Sequence, residues 1–405
     1  MIKKYLHKTK NRNFSVAMVW INGGSNMDKK GKKGINQILC SLITRGCEGF
    51  DNFQLSEYIY SHGAELNQEI LEDGILITLK SLNEHFNKLL PIIDLIINKP
   101  KLSEKQFIYV KKSITNSIKK EKENPFNIVY EKWRKLVYLK HPYAFNCIGY
   151  EEDISKITHN DILSEYENFK FRDMYLISNY LKNNYENVST KNKKTLKEKF
   201  NHVYLNESKK YRFVSTHQNS NQIILMLGNQ TCSQFSYEYF PLKVLESYLS
   251  FGMSSVLFKL FREKNGLTYD VGVFNPGRNQ NSPFLIYLSV SNENALLAFQ
   301  LLSKLWAELL SSLINNEEMT LAKEKLKSSY LVSSQSLEDI LRRKIQLISY
   351  NEYFDYEKDY LKKIENVTSK EIMKMSNKYL THPCLSIFGK EKICNEIQKN
   401  WIKNF

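Results

Sequence analysis

FGMSSVLFKLFREKNGLTY, residues 251–269, contains the signals of a helix and of the start of a strand in the second half of the chain. It predicts a helix over Met253–Gly266, closed by a glycine because glycine adopts the left-handed conformation without steric cost. The residues that follow predict a strand over Leu267–Phe274. Arg262 and Tyr269 therefore lie on either side of a helix end.

The elements around this stretch repeat an order found in the first half of the chain. Ile157–Ile162 and Val367–Ile372 each begin a helix with a capping Thr and an acidic residue three positions later. Each helix leads into a short apolar segment, Met174–Ser178 and Cys384–Phe388, that predicts a strand. The repeat predicts an α+β fold of two similar domains, each a mainly antiparallel sheet covered by helices.

The boundary between the two halves is predicted near the midpoint of the chain. Lys182–Lys199 is rich in Lys, Asn and Thr and lacks apolar periodicity, which is typical of a linker. We predict an N-terminal domain over residues 1–185, a linker over 186–200 and a C-terminal domain over 201–405. Early in each domain a helix that ends at a glycine is predicted, over Gly34–Gly46 in the first domain and over Met253–Gly266 in the second. We predict that these two helices correspond to each other.

Apolar periodicity predicts further elements in both halves. One helical face carries Ile35, Ile38, Leu39, Leu42 and Ile43. Strands are predicted over Ile75–Leu79 and Gln222–Leu227, and helices over Phe86–Ile96, from Ser103, and over Leu242–Leu249, Glu293–Ile314 and Glu317–Ser349. Pro91 is expected to kink its helix or to mark a break.

The chain carries a strong positive charge, +15 from 58 Lys and Arg against 43 Asp and Glu. Such a charge attracts anionic partners, but it is spread along the chain without a recognised nucleic-acid module, so we predict no nucleic-acid partner. No apolar run predicts a membrane span or a signal peptide, and we expect a cytoplasmic protein without a membrane partner. Cysteines without CxxC spacing predict reduced thiols, at Cys40, Cys47, Cys147, Cys232, Cys384 and Cys394.

No self-sufficient catalytic motif is present. The eight histidines form neither HxxxH nor HExxH, so the usual helical zinc spacing is absent. There is no GxSxG elbow for serine chemistry. His141, in His-Pro-Tyr, is a candidate base, but a structural hydrogen-bonding role is the simpler interpretation.

Six short segments follow one another in a recognisable order. They are Gly23-Gly24-Ser25, Gly34 before an apolar helix, Gly63-Ala64-Glu65-Leu66-Asn67, His141-Pro142-Tyr143, Gly149 with acids after it, and residues 251–269. In this order they resemble the pitrilysin/insulinase metallopeptidases, or inverzincins. The likeness is closest to the small paired bacterial members related to mitochondrial processing peptidase, and it runs from about Val16 to Gly389.

The resemblance implies a degenerate zinc site. In active members, the helix that begins at the glycine matched by Gly34 carries HxxEH, and a further Glu ligand lies downstream. The matching positions here are Gln37, Cys40, Ser41 and Ser117. Every ligand and the general base are missing, so we predict no zinc in this chain. Cys40 is interpreted as a small buried residue, with partial metal ligation as the alternative.

Arg262 and Tyr269 are the functional pair that the resemblance retains. In the family the matching Arg and Tyr bind the substrate backbone and help stabilise the attacked carbonyl. A fixed guanidinium and a phenolic hydroxyl can donate hydrogen bonds to a developing oxyanion. The alternative is structural, with Arg262 near a helix C-terminus and Tyr269 packed in a sheet.

The zinc ligands are missing, whereas Arg262 and Tyr269 are present. This combination predicts the zinc-less subunit of a two-subunit peptidase. The expected partner is a homologous chain with an intact HxxEH motif, which would hold the zinc, and the expected substrate is a peptide or an unfolded protein. In this interpretation the chain is inactive alone. The alternative is a noncatalytic binding or assembly protein with the same fold.

Overall fold

The strands that the structure describes form two sheets. The computed structural model describes residues 2–9, 12–180, 186–187, 212–268, 270–350 and 356–404. The strands within these ranges are β1 (Ile2–Leu6), β2 (Phe14–Asn22), β3 (Glu65–Ile70), β4 (Gly74–Leu82), β5 (Met174–Ser178), β6 (Glu186–Asn187), β7 (Phe213–His217), β8 (Gln222–Gln230), β9 (Asp270–Phe274), β10 (Pro283–Ser291) and β11 (Cys384–Gly389).

Helices fill most of the connections between the strands. The α-helices are α1 (Ile35–Ile43), α2 (Asn52–Ser61), α3 (Asn83–Asn98), α4 (Glu104–Glu123), α5 (Pro125–Tyr138), α6 (Glu151–Lys156), α7 (His159–Phe169), α8 (Tyr239–Ser250), α9 (Ala295–Ser311), α10 (Asn316–Ser333), α11 (Leu337–Ser349), α12 (Tyr356–Asn366), α13 (Ser369–Leu380) and α14 (Glu391–Asn404). Short 3₁₀ turns cover Ser25–Met27 and Pro142–Ala144, and Phe258–Glu263 is a π-helix.

The two sheets share one topology. The first has the order β3-β4-β2-β5-β1-β6, and the second, taken from the corresponding edge, has the order β9-β10-β8-β11-β7. In each sheet the first strand pairs in parallel with the last long strand, β1 with β5 and β7 with β11. The other long strands pair antiparallel. The predicted α+β duplication is confirmed.

Both predicted capping boxes are present at matching places. Thr158 Oγ1 accepts from the backbone N–H of Asp161 at 3.3 Å, and the Asp161 carboxylate accepts from the backbone N–H of Thr158 at 3.0 Å. In the second half, Thr368 and Glu371 make the same pair of bonds at 3.2 and 2.8 Å. These boxes begin α7 and α13, each of which leads into the strand predicted for it.

The order of elements corrects one predicted match between the halves. In the first half β2 is followed by α1 and α2, and in the second half β8 is followed by α8 and the π-helix. The counterpart of α1 is therefore α8, and the stretch Met253–Gly266 corresponds to α2. The predicted match was wrong because both stretches end in a glycine, and a glycine stop does not say which helix it closes.

Chain contacts divide the molecule into two compact units that exchange one helix each. One unit contains Met1–Lys120, Phe145–Lys197 and Ser333–Tyr356; the other contains Glu121–Ala144, Glu198–Val332 and Glu357–Phe405. Helix α11 therefore packs on β2 and β5 of the first sheet, and α5 packs on β8 and β11 of the second. The predicted division at 186–200 did not include this exchange. Apart from residues 186–187, that predicted linker lies outside the described residues.

Two predicted helices differ from the structure. Helix α3 runs through Pro91 without a break, because Pro91 lies on the exposed side while Leu89, Ile92 and Ile93 anchor the opposite side in the core. The predicted helix over Glu317–Ser349 is two helices, α10 and α11. Ser336 begins α11 by accepting from the backbone N–H of Asp339 at 3.3 Å.

The apolar stripe predicted for α1 is confirmed. All five of its residues are buried in the core of the first unit, together with β2, β4 and the inner faces of α3 and α4. All six cysteines are free, and five of them are buried. Among the described residues, no single helix has the length and apolarity to cross a membrane, and α9 with α10 meets that test only as a pair bent by 101°.

Candidate functional site

Helix α1 carries Gln37, Cys40 and Ser41, the positions predicted to match the zinc motif, and side-chain hydrogen bonds fix its N-terminus. The Asp28 carboxylate accepts from the backbone N–H groups of Gly34 at 2.7 Å and Asn36 at 3.2 Å, and from the Asn36 amide at 2.8 Å. Burial raises the pKa of Asp28 to about 6. At pH 7 it is still mostly ionised, so a negative charge lies where the helix dipole favours it.

A buried ion pair supports the same end of α1. The Arg172 guanidinium donates to Asn36 Oδ1 at 2.8 Å and to the Gly23 carbonyl at 2.6 Å, and it pairs with Glu165 at 2.5 Å. Both charged side chains are less than one-tenth exposed. Since a buried guanidinium needs such partners, this network fixes the position of α1 against α7 and the end of β2.

Two of the glycines that carry the family resemblance are in close backbone contact beside the start of α1. Gly34 and Gly149 have φ angles of 101° and 86°. A Cβ on Gly149 would lie 2.3 Å from the Lys33 carbonyl oxygen and 2.6 Å from Gly34 Cα. Both positions favour glycine, because a left-handed backbone strains any other residue and the close approach leaves no room for a Cβ.

Gly149→Ala is expected to destabilise the protein by roughly 3 kcal/mol or more, because a backbone clash adds to the strain of a left-handed alanine. Gly31→Ala is the matched control. Gly31 has φ 79°, and an added Cβ there would meet nothing within 4 Å, so we expect a loss of only about 1 kcal/mol. Chemical denaturation measures both losses, and equal losses would contradict the close-packing interpretation.

The three side chains of α1 that were predicted to match HxxEH include no His, no carboxylate and no thiolate. Gln37 Nε2 donates to Ser41 Oγ at 3.1 Å, so these two half-buried side chains contact each other across one helical turn. Cys40 is 1% exposed and belongs to the core. Burial, reinforced by the negative charge of Glu69, raises the pKa of the Cys40 thiol to about 12. The thiol therefore stays protonated at neutral pH.

Ser117, the predicted position of the downstream ligand, lies on the exposed side of α4. The opposite side of that helix is buried through Phe107, Val110, Ile114 and Ile118, as predicted. The Ser117 side chain therefore faces solvent, where a polar group is favoured. A hydroxyl at this position brings no charge to a metal.

The donor groups at these positions do not fit zinc. A catalytic zinc site uses three protein ligands of the His, Glu or thiolate type. An amide, a protonated thiol and two hydroxyls supply none of them. In the part of the chain that the structure describes, no group of three or more His, Cys, Asp or Glu is placed to hold a metal ion. That the protein carries no zinc stays a prediction.

The second candidate position, Arg262, lies on the π-helix of the other unit. Its side chain is exposed, and its Cζ lies 4.9 Å from the centre of the Phe258 ring. Phe261 is fully buried and anchors the same turn. Tyr269 lies outside the described residues, so its proximity to Arg262 stays a prediction.

His141 has the geometry of a structural residue. Its Nδ1 accepts from the Tyr143 backbone N–H at 3.1 Å, which places the ring proton on Nε2. Nε2 lies 2.5 Å from Gln280 Oε1 and donates to it. Burial lowers the pKa of His141, so the ring is neutral at pH 7. Both nitrogens are committed to hydrogen bonds, which supports the structural interpretation over a catalytic base.

The sequence did not predict the residues that hold the candidate positions in place. Asp28, Asn36, Glu165 and Arg172 come together from four separate segments, and no local spacing predicts that convergence. Phe258 was visible only as one apolar residue of a helix. Gly34 and Gly149 were visible in the sequence only as glycines of the recognisable segments, and their left-handed backbone was found in the structure.

The described part of the chain contains two α+β units of one topology, with α1 in the first and the π-helix that carries Arg262 in the second. The family model described as Insulinase (Peptidase family M16) matches residues 4–148, and that described as Peptidase M16 inactive domain matches residues 176–326. The chain belongs to peptidase family M16.

Its relatives agree with this assignment. Over 365 residues the chain is 24% identical to an "Uncharacterized zinc protease" of Rickettsia felis, covering 88% of this chain and 87% of the relative. Over 171 residues it is 24% identical to "Mitochondrial-processing peptidase subunit beta" of Neurospora crassa, covering 42% and 33%. The solved peptidase M16 inactive domain from Pseudomonas fluorescens superimposes with a TM-score of 0.82 over 96% of both chains, at 19% identity, and shows the same fold.

Proposed function

We propose that this chain is the non-zinc-binding subunit of a heterodimeric zinc metalloendopeptidase. The observation that carries the proposal is the contrast between its two candidate positions. The HxxEH-equivalent positions hold an amide, a protonated thiol and a hydroxyl, Gln37, Cys40 and Ser41. Arg262, in contrast, is held on an anchored turn with its charge exposed.

In this proposal the chain contributes substrate binding and charge stabilisation in trans. The guanidinium of Arg262 and the hydroxyl of Tyr269 would donate hydrogen bonds to the scissile carbonyl as it gains negative charge. Arginine suits this task because it is always protonated and presents several donors in a fixed plane. The zinc would belong to the partner, an M16 chain with an intact HxxEH helix, and the substrates would be peptides or unfolded proteins.

The names of the relatives are compatible with a peptidase, but they do not assign the metal to this chain. The Rickettsia felis relative is called a zinc protease, and the Neurospora crassa relative is called one subunit of a processing peptidase. A subunit role accounts for a peptidase fold without metal donors. It also gives the exposed charge of Arg262 a role in substrate binding.

Co-purification with an HxxEH relative from the same cell tests the proposal. We expect the two chains to associate and the complex to contain zinc. Replacing the partner's HxxEH histidines by alanine should remove that zinc, because they are its ligands. Gln37→Ala with Ser41→Ala in this chain should leave the zinc unchanged. The zinc content of the purified complexes measures both effects.

Two outcomes would contradict the proposal. A complex that keeps its zinc after the partner's histidines are replaced would place the metal elsewhere. Association without peptidase activity, for any peptide or unfolded protein tested, would favour the noncatalytic binding or assembly protein instead.

A further inference from the structure

The turn that carries Arg262 has an unusual backbone. Residues Phe258–Glu263 form a π-helix, in which the Lys264 N–H bonds to the Lys259 carbonyl five residues earlier, at 2.9 Å. π-Helical turns are rare and are found frequently at functional sites. The wider turn changes the direction in which its side chains leave the helix.

Three further hydrogen bonds close this turn. The Asn265 amide donates to the Leu260 carbonyl at 2.7 Å, the Leu267 N–H to the Phe261 carbonyl at 2.8 Å, and the Gly266 N–H to the Arg262 carbonyl at 3.1 Å. Each carbonyl at the end of a helix needs such a partner. The backbone of Arg262 is therefore fixed, although its side chain is exposed.

The Phe258 ring lies under the Arg262 guanidinium. The Cζ of Arg262 is 4.9 Å from the ring centre, within the range of a cation–π contact. Phe258 is itself half-buried, one residue after the fully buried Leu257. Ordering a long arginine side chain on a substrate costs side-chain entropy. A ring beneath the guanidinium reduces that cost before substrate arrives.

We infer that Phe258 is a positioning residue for Arg262, holding the guanidinium plane in the orientation that it uses toward a peptide carbonyl. The inference rests on the proposed role of Arg262 in trans. Phe258 acts through the arginine and makes no contact with substrate in this account. The ring face and the distance carry the inference, and the closed π-turn fixes the backbone from which the Arg262 side chain reaches over the ring.

Peptide cleavage by the complex of this chain with its HxxEH partner tests the inference. Phe258→Leu keeps an apolar side chain of similar size but removes the ring, and we expect kcat/KM to fall about two- to fivefold, mainly through kcat. Phe258→Tyr keeps the ring and should recover the activity. A thermal melt of each variant controls for loss of folded protein.

A double-mutant cycle separates positioning from general support of the fold. In an Arg262→Ala background, assayed at higher enzyme concentration, Phe258→Leu should cause no further loss. The inference is overturned if Phe258→Leu is as active as the unsubstituted chain, or if it loses the same factor without Arg262. Either result would leave the proposed function intact.

A second measurement does not depend on activity. In the full chain labelled with ¹³C,¹⁵N-arginine, the Arg262 side-chain signals, assigned with Arg262→Lys, should show the upfield ring-current shift of a nearby aromatic face. Phe258→Leu should remove the shift and Phe258→Tyr should keep it. Signals that do not move in Phe258→Leu would overturn the inference. An inactive complex with the expected shifts would instead count against the proposed function alone.

Discussion

Arg262→Ala is expected to lower the peptidase activity of the two-subunit complex by about 100-fold, with most of the loss in kcat. Removing one donor to a developing oxyanion typically costs a factor of about 10²–10³, because the charge appears only in the transition state. Tyr269→Phe removes the second proposed donor and should have an effect of similar direction. Steady-state cleavage of a quenched fluorescent peptide measures both.

Lys264→Ala is the matched control for this experiment. Lys264 is exposed, lies two residues from Arg262 and carries the same charge, so its replacement changes the local electrostatics without removing the proposed donor. We expect a change of less than about twofold, since exposed charges are well screened. Equal effects of Arg262→Ala and Lys264→Ala would reduce the role of Arg262 to general charge attraction.

The combined substitution Gln37→His, Ser41→His and Ser117→Glu is expected to give the chain a zinc site with roughly micromolar affinity or better, whereas the unsubstituted chain should bind no zinc in stoichiometric amount. Gln37 and Ser41 already contact each other across one turn, at 3.1 Å, so histidines there would lie on one face. Two histidines and one glutamate are a known catalytic zinc set. Isothermal titration calorimetry with zinc measures the affinity.

The pair of histidines without Ser117→Glu is the control for this prediction. We expect it to bind zinc at least about tenfold more weakly, because one ligand is missing. Cys40 is left unchanged, since a glutamate at a position that is 1% exposed would bury a charge. If the triple variant binds no better than the pair, Ser117 is not the position of the downstream ligand.

The local elements of the fold could be predicted from the sequence because their signals are local. Thr158 with Asp161 and Thr368 with Glu371 begin helices as their spacing indicates. The apolar stripe of α1 lies in the core. The two-domain α+β architecture also follows, because the same order of elements occurs twice in the chain.

The exchange of α5 and α11 between the units could not be predicted. Both are amphipathic helices, and an apolar face does not show which sheet will cover it. The break before α11 was missed for a related reason. Apolar spacing continues on both sides of Ser336, although the chain passes there from one compact unit to the other.

Family resemblance predicted the candidate positions, and their surroundings were found only in the structure. The resemblance named Gln37, Cys40 and Ser41, but the burial that keeps the Cys40 thiol protonated depends on residues from several elements. The Phe258 ring under Arg262, and the π-turn that carries both residues, were found only in the structure. The partner, the zinc in that partner and the cytoplasmic location stay predictions.

A titration of one chain with the other tests directly whether two chains complete the active site. A fixed amount of the HxxEH partner is assayed for peptide cleavage while this chain is added. We predict no activity for either chain alone, a linear rise on mixing and a plateau at one-to-one stoichiometry. Cleavage by the partner alone that does not change on titration, or chelator-sensitive cleavage by this chain alone, would contradict the account.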